Sequence, residues 1–153
     1  MRAHQLAVDY PTVTLDSSAL VAARLLAEHR LPGLIVVDDD RRPVAILPGS
    51  QLLRFMIPRY VQDDPALARV YDEAHADKLC GKLADKTVAD LLPTETKAPP
   101  IVDNHATAIE IATLMANTRS PVVAVSGHPQ RTDAPMIGVV TVAQLLTRLL
   151  PPP

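Results

Sequence analysis

The chain has 153 residues, of which 48% are hydrophobic but only 3% aromatic, with no tryptophan, so its core must be aliphatic. A formal net charge of −2 gives no electrostatic case for a nucleic acid or an anionic membrane as partner. One cysteine, Cys80, excludes an internal disulfide and fits a reducing compartment.

No apolar run approaches the roughly 18 residues that span a bilayer. The opening MRAHQLAVDY lacks the apolar stretch of a signal peptide. The expectation is a cytoplasmic protein without membrane insertion. In chain order, Ala3–Ala7 reads as a short helical turn, and Pro11-Thr12-Val13 as extended, because Pro11 fixes its own φ and biases Tyr10 away from helix. Asp16, Ser17 and Ser18 are all of capping type, with Ser17 the expected cap of a helix whose Ala19, Ala22, Ala23, Leu26 and Ala27 recur at helical spacing. Pro32 and Gly33 stop that helix. Leu34–Val37 reads as a strand, residues 38–42 as a charged turn, Pro43–Leu47 as the return strand, and Gly49–Met56 as a closing helix ended by Pro58.

Residues 58–86 form a connector. Pro65 is expected at the first helical position there, followed by Leu67, Val70, Tyr71 and Ala74 at helical spacing. Thr87 is a possible cap for a short helix reaching Leu92, Pro93–Pro99 is a loop, and Pro100–Val102 is extended. Ala106–Ala116 reads as a helix that buries Ala108, Ile109, Ala112 and Met115. Pro121–Val125 and Met136–Val140 are strands, and a last helix opens at Thr141.

The second half repeats the first. A shift of 89 positions sets Pro11 on Pro100, Val13 on Val102, Ala19 on Ala108, Leu25 on Leu114, Arg30 on Arg119 and Pro32 on Pro121. After the hairpin the shift becomes 93, setting Ala45 on Gly138, Gln51 on Gln144 and Leu52-Leu53 on Leu145-Leu146. The expected organisation is repeat 1 over residues 1–57, the connector over 58–86, and repeat 2 over 87–153. The fold class is α/β (α+β), each repeat strand–helix–strand–strand–helix. Neither half is large enough to bury a comfortable core alone, so the two are expected to pack through their sheets about a pseudo-twofold axis. Burial on both faces then accounts for the unbroken apolar runs Leu34–Val37 and Met136–Val140.

Two copies of a leading strand, an Ala-rich helix, a Pro-led strand, a turn and Ile137-Gly138-Val139-Val140-Thr141 resemble cystathionine β-synthase (CBS) domains, a tandem pair of which is a Bateman module. The counterpart in the first half, Val44-Ala45-Ile46-Leu47-Pro48, matches less well. The resemblance implies a non-enzymatic regulator that requires no cofactor and binds an adenosine-containing ligand (AMP, ADP, ATP or a related adenosyl compound) in clefts between the repeats. It also implies a flat homodimer and a separate effector protein, an enzyme or transporter.

The family pattern sets Thr or Ser three residues before Asp, the hydroxyl serving a phosphate and the carboxylate the ribose. Here Thr141 is followed by Gln144, and Pro48 by Gln51. Gln offers one neutral acceptor oxygen for the two charged ones of Asp, a difference on the order of 1 kcal/mol at each site. The second half keeps more of the pattern. The expected cleft is therefore walled by Thr141 and Gln144, with Gly138 admitting a close backbone approach. Thr12-Val13, Ile101-Val102 and Pro121-Val122 line it, and Gln51 is the first-half counterpart. A ligand-free scaffold for dimerisation and docking is the alternative that the two Gln residues favour.

Other clusters carry less. His75 and Cys80 suit no common zinc spacing, so no metal site is expected. Asp38-Asp39-Asp40 followed by Arg41-Arg42 reads as a solvated turn, His128 as a loop residue, and Ser17, Ser18 and Ser50 have no catalytic base in motif context.

Overall fold

The computed structural model describes residues 1–70 and 73–153. Tyr71 and the side chains of Ala74 and His75 lie outside the described residues. The first half runs α1 (Ala3–Leu6), β1 (Thr12–Val13), α2 (Ala19–His29), β2 (Gly33–Val37), β3 (Pro43–Pro48) and α3 (Gly49–Met56). The connector holds α4 (Arg59–Asp63), a 3-10 segment Pro65–Val70, α5 (Glu73–Cys80) and a 3-10 turn Gly81–Leu83. The second half repeats the pattern with α6 (Val88–Leu91), β4 (Ile101–Val102), α7 (Ala108–Thr118), β5 (Val122–Ser126), β6 (Met136–Thr141) and α8 (Val142–Leu149).

Each half builds a three-stranded sheet in the order β1-β2-β3 or β4-β5-β6, its central strand parallel to the first and antiparallel to the third. The central strands bury every residue, and their two faces serve different cores. Leu34 and Val36 pack on Ala19, Ala22, Leu26 and Leu52, while Val123 and Val125 pack on Ile111, Met115 and Leu145. The intervening residues Ile35, Val37, Val122 and Ala124 meet Met136 and Val139 between the two sheets. At about 1.5–3 kcal/mol for each fully buried aliphatic side chain, that shared core is a large part of what holds the halves together.

The leading helices are exchanged. α1 lies on the second half, with Ala3 and Leu6 in its core and the Ala3 N–H donating to the Ala106 carbonyl at 2.8 Å. α6 lies on the first half, with Val88 and Leu91 in its core and the Val88 N–H donating to the Ser17 carbonyl at 2.9 Å. Matching bridges, Arg2 with Thr107 and Ser18 with Thr87, mark the pseudo-twofold relation.

Several expectations shift. Ser18, not Ser17, caps α2 by accepting from the Val21 N–H, while the Ser17 hydroxyl accepts from the Thr14 N–H in the turn before it. α2 ends on Arg30 in the left-handed region at φ 52°, and Gly33 already belongs to β2. α7 starts at Ala108 because Thr107 caps it, and Ile111 is the buried isoleucine whereas Ile109 is exposed. In α2, Ala27 is exposed, so its buried stripe is narrower than the alanine spacing suggests. Pro65 opens a 3-10 segment rather than an α-helix, and α4 before it carries no strong apolar period.

Candidate functional site

The β6–α8 junction brings Thr141, Gln144 and Gly138 close along the chain, and each is already engaged. The Thr141 N–H donates to Gln144 Oε1 at 2.9 Å, and the Gln144 N–H donates to Thr141 Oγ1 at 3.3 Å. Thr141 and Gln144 therefore form the capping box of α8. The Thr141 hydroxyl also donates to Gln144 Oε1 at 3.2 Å. Gly138 does admit a close backbone approach, but the backbone is the chain's own: a Cβ there would lie 2.6 Å from the Val8 carbonyl oxygen. Val8 and Val139 exchange hydrogen bonds, at 3.0 Å from the Val8 N–H and 3.1 Å from the Val139 N–H. Gln144 lines a hollow of about 240 Å³ shared with Gln5, Leu6, Val8, Thr147 and Arg148.

Gln51 is turned to structural use as well, since its Nε2 donates to the Leu91 carbonyl of α6 at 3.0 Å. Val13, Val102 and Val122 are buried in the three cores. Thr12 and Ile101 are half-buried, paired with Ile35 and Ala124 in the sheets.

The roomier cleft lies on the other side of the pseudo-axis, at the first-half sheet. It measures about 670 Å³ and is walled by Pro32, Gly33, Ile46 and Pro48, by residues 97–100, and by the end of α7 through Pro121. Of the ten residues placed at the site from sequence, only Pro121 lines this cleft. The walls are mostly apolar; Asn117, Thr118 and Ser120 are polar members of the lining, and two further features add polarity. The Gly49 N–H donates to the Pro32 carbonyl at 3.2 Å, so Pro32–Gly49 is a hydrogen-bonded pair of the hairpin. Bonding alternates along an antiparallel ladder, so Ile35–Ile46 is not such a pair, and the N–H and C=O of Ile46 point out of the sheet edge. Among the described residues nothing bonds them. The second feature is a pair of cations, Lys97 and Arg119, whose side chains make no ion pair or hydrogen bond among the described residues.

The sequence reading ranked this side second, because Pro48 lacks the hydroxyl of the family pattern, and left out Lys97, which sits in a loop without motif context. The available signal was the length of that loop. From Leu6 to Thr12 the first leading segment has residues 7–11 to cross, whereas from Leu91 to Ile101 the second has residues 92–100.

A second cavity of about 670 Å³ runs between α7 and α8, lined by Met115, Val142, Leu146 and Leu149 among others, and is open and apolar. Asp38 Oδ1 accepts from the Asp40 and Arg42 N–H groups and so closes its turn, and His128 Nδ1 accepts from the Gln130 N–H within its loop. Among the described residues no group of three or more His, Cys, Asp or Glu is placed to hold a metal, and no helix is long and apolar enough to cross a membrane.

A model of the CBS domain matches residues 6–58. Among solved structures, a CBS domain-containing protein of unknown function from Kribbella flavida is 46% identical, with 97% of this chain and 98% of that one covered at a TM-score of 0.85. The CBS-pair protein CBSX2 from Arabidopsis thaliana is 21% identical over 96% of this chain and 92% of its own, at a TM-score of 0.71. CBSX2 in complex with AMP is 21% identical over 96% and 94%, at 0.65. At that identity the likeness to CBSX2 is one of fold. No curated protein matches the sequence. With two copies of one sheet-and-helix unit exchanging their leading helices, the chain belongs to the CBS-domain family and is a tandem CBS pair, a Bateman module.

Proposed function

We propose that the chain is a non-enzymatic regulatory module whose first-half cleft takes an adenosine-containing anion and whose occupancy is passed to a separate partner protein. The observation that carries this reading is the cleft itself: apolar walls, a backbone donor and acceptor at Ile46 and two cations that, among the described residues, have no partner. A flat aromatic base fits between such walls and exchanges hydrogen bonds with a free strand edge. A phosphate is held by Lys97 and Arg119, since a charge-assisted hydrogen bond is worth about 1.5–3 kcal/mol. That CBSX2 binds AMP in the same fold supports the ligand class. Leu53, Leu146, Leu149 and Leu150, exposed on or just beyond the closing helices α3 and α8, are the surface proposed for homodimer formation, and light scattering checks it.

Calorimetry with adenosine, AMP, ADP, ATP and S-adenosylmethionine tests the reading. Lys97→Ala and Arg119→Ala are expected to weaken AMP several-fold each and adenosine hardly at all. Equal loss for both ligands, or none, places the phosphate elsewhere.

The second reading is a ligand-free scaffold. It is favoured by the Thr141–Gln144 capping box and the Gln51–Leu91 bond, which turn the family's ligand positions to holding helices. Under it, none of the five compounds raises the melting temperature.

A further inference from the structure

The two clefts of the pair are related by the repeat, yet they differ in access. We propose that the second cleft is closed by the chain's own leading segment, Ala7–Tyr10, acting as a strap, so that a small-molecule ligand enters only through the first-half cleft, at most one per chain. The identity of that ligand rests on the function proposed above; the closure does not.

The strap is held at three points. Val8 is stitched to Val139 by two backbone hydrogen bonds, which occupy the outward N–H and C=O of Val139. Gly138 accepts the strap because it has no side chain, its missing Cβ leaving room for the Val8 oxygen. Tyr10 then packs on the inter-sheet core, and its hydroxyl donates to the Gly33 carbonyl at 2.6 Å.

At the equivalent points of the first cleft every hold is missing. Ile46 corresponds to Val139, and its outward N–H and C=O have no partner among the described residues. Ala45 corresponds to Gly138 and carries the Cβ that an equally close strap would strike. Pro99 corresponds to Tyr10 and is one of the cleft walls. The longer leading segment, residues 92–100, has slack to pass wide of β3. Two causes written in the sequence, one methyl group and a difference in loop length, thus act in the same direction. The burial agrees: Val139 is fully buried while Ile46 is half-exposed.

Amide hydrogen exchange on the full chain reads the closure without any ligand. The Val139 amide is expected to exchange with the slow core ladder and the Ile46 amide at least about 100-fold faster. Native mass spectrometry with AMP as probe counts sites. One AMP per chain with Val139 protected supports the proposal. Two AMP per chain, or Val139 exchanging as fast as Ile46, overturns it. No AMP at all with Val139 protected leaves the closure supported and overturns the ligand reading instead. The variant Val8→Pro, which deletes the N–H donor to Val139, is expected to speed Val139 exchange and leave that of Ile46 unchanged. Should it fail to fold, Gly138→Ala, which pushes the Val8 carbonyl away, gives the same readout. If either folded variant leaves Val139 protected, the strap is not what closes the cleft.

Discussion

The two leading segments invite comparison, because they do the same structural job with different lengths. Both carry a short helix across to the opposite half and bring the chain back to open a strand. The first does so over residues 7–11 and is drawn tight along β6; the second has residues 92–100 and stands away from β3. A pseudo-symmetric fold thereby acquires one filled cleft and one open cleft without any change in its core. The space between the repeats is set by how the connections run, and the sheets themselves are nearly interchangeable.

The largest test asks whether either half exists without the other. Residues 1–86 keep β1–β3 but lose α6, whose Val88 and Leu91 complete the first core. Residues 87–153 keep β4–β6 but lose α1, whose Ala3 and Leu6 complete the second. Each fragment also exposes its share of the inter-sheet core. Expressed separately, neither fragment is expected to show a cooperative melt by circular dichroism, and mixing them is expected to restore one. A cooperative melt from either fragment as a monomer would mean the shared core is dispensable.

The next test acts on the difference between the clefts. Gly138→Val sets a branched side chain against the Val8 backbone, which cannot yield as a flexible side chain would. The expected loss is about 1–3 kcal/mol, read by urea unfolding. Ala45→Gly at the equivalent position removes only a methyl from the first core and restricts nothing, so about 0.5–1 kcal/mol is expected, chiefly entropic. Equal losses at the two positions would show that the strap contributes no more at β6 than its absence does at β3.

Much of this architecture is legible in the residues themselves. The repeat register pairs Pro32 with Pro121 and Arg30 with Arg119; each proline carbonyl accepts from the backbone N–H of Gly49 or Val142, and each arginine takes the left-handed region at the end of its helix. The closing helix Gly49–Met56 is bounded by Pro48 and Pro58 on either side, so local chemistry alone marks its ends. The candidate site was far less legible. Thr141 carries the family pattern, yet its hydroxyl and its Gln144 partner are turned on one another, a pairing that Asp or Gln at the third helical position satisfies equally well. Which cleft stays open depends on a tertiary approach, Val8 against Gly138, and no periodicity or propensity encodes a contact between residues so far apart in the chain.

A titration separates the strap from the caps. Burial pushes the Tyr10 hydroxyl up to about 12. A group whose pKa is raised on folding lends stability that is whole below its unfolded value and fades as pH rises through the folded one. The Tyr10 contribution is therefore expected to fall away between about pH 10 and 12. Asp90 and Glu110 move the other way, held below the ordinary carboxylate range first by the N–H groups of Thr87 and Thr107. Their contribution is present above the usual carboxylate values and is lost as pH drops below them. Tyr10→Phe is expected to flatten the alkaline limb of the stability curve and leave the acid limb alone. Loss of both limbs together would point to general charging rather than to these groups.

The smallest expected effect tells most about the paired arginines. Arg30 and Arg119 both end a helix in the left-handed region, at φ 52° and 54°, where a residue with a Cβ is strained by roughly 1–2 kcal/mol and glycine is not. Glycine gives part of that back through the greater freedom of its unfolded chain, so a net gain of about 0.5–1 kcal/mol is expected from either substitution. The two then part company. Arg30 stands at the cap whose neighbouring cleft is strapped, whereas Arg119 lines the open cleft. Arg30→Gly is expected to raise the melting temperature by a few degrees and leave AMP affinity as it was. Arg119→Gly is expected to give the same rise while weakening AMP several-fold. Strain kept at Arg119 would then serve the cleft, and strain kept at Arg30 would be no more than the symmetric residue of the repeat. If Arg30→Gly weakens AMP as much as Arg119→Gly does, the two clefts are not divided in the way the strap requires.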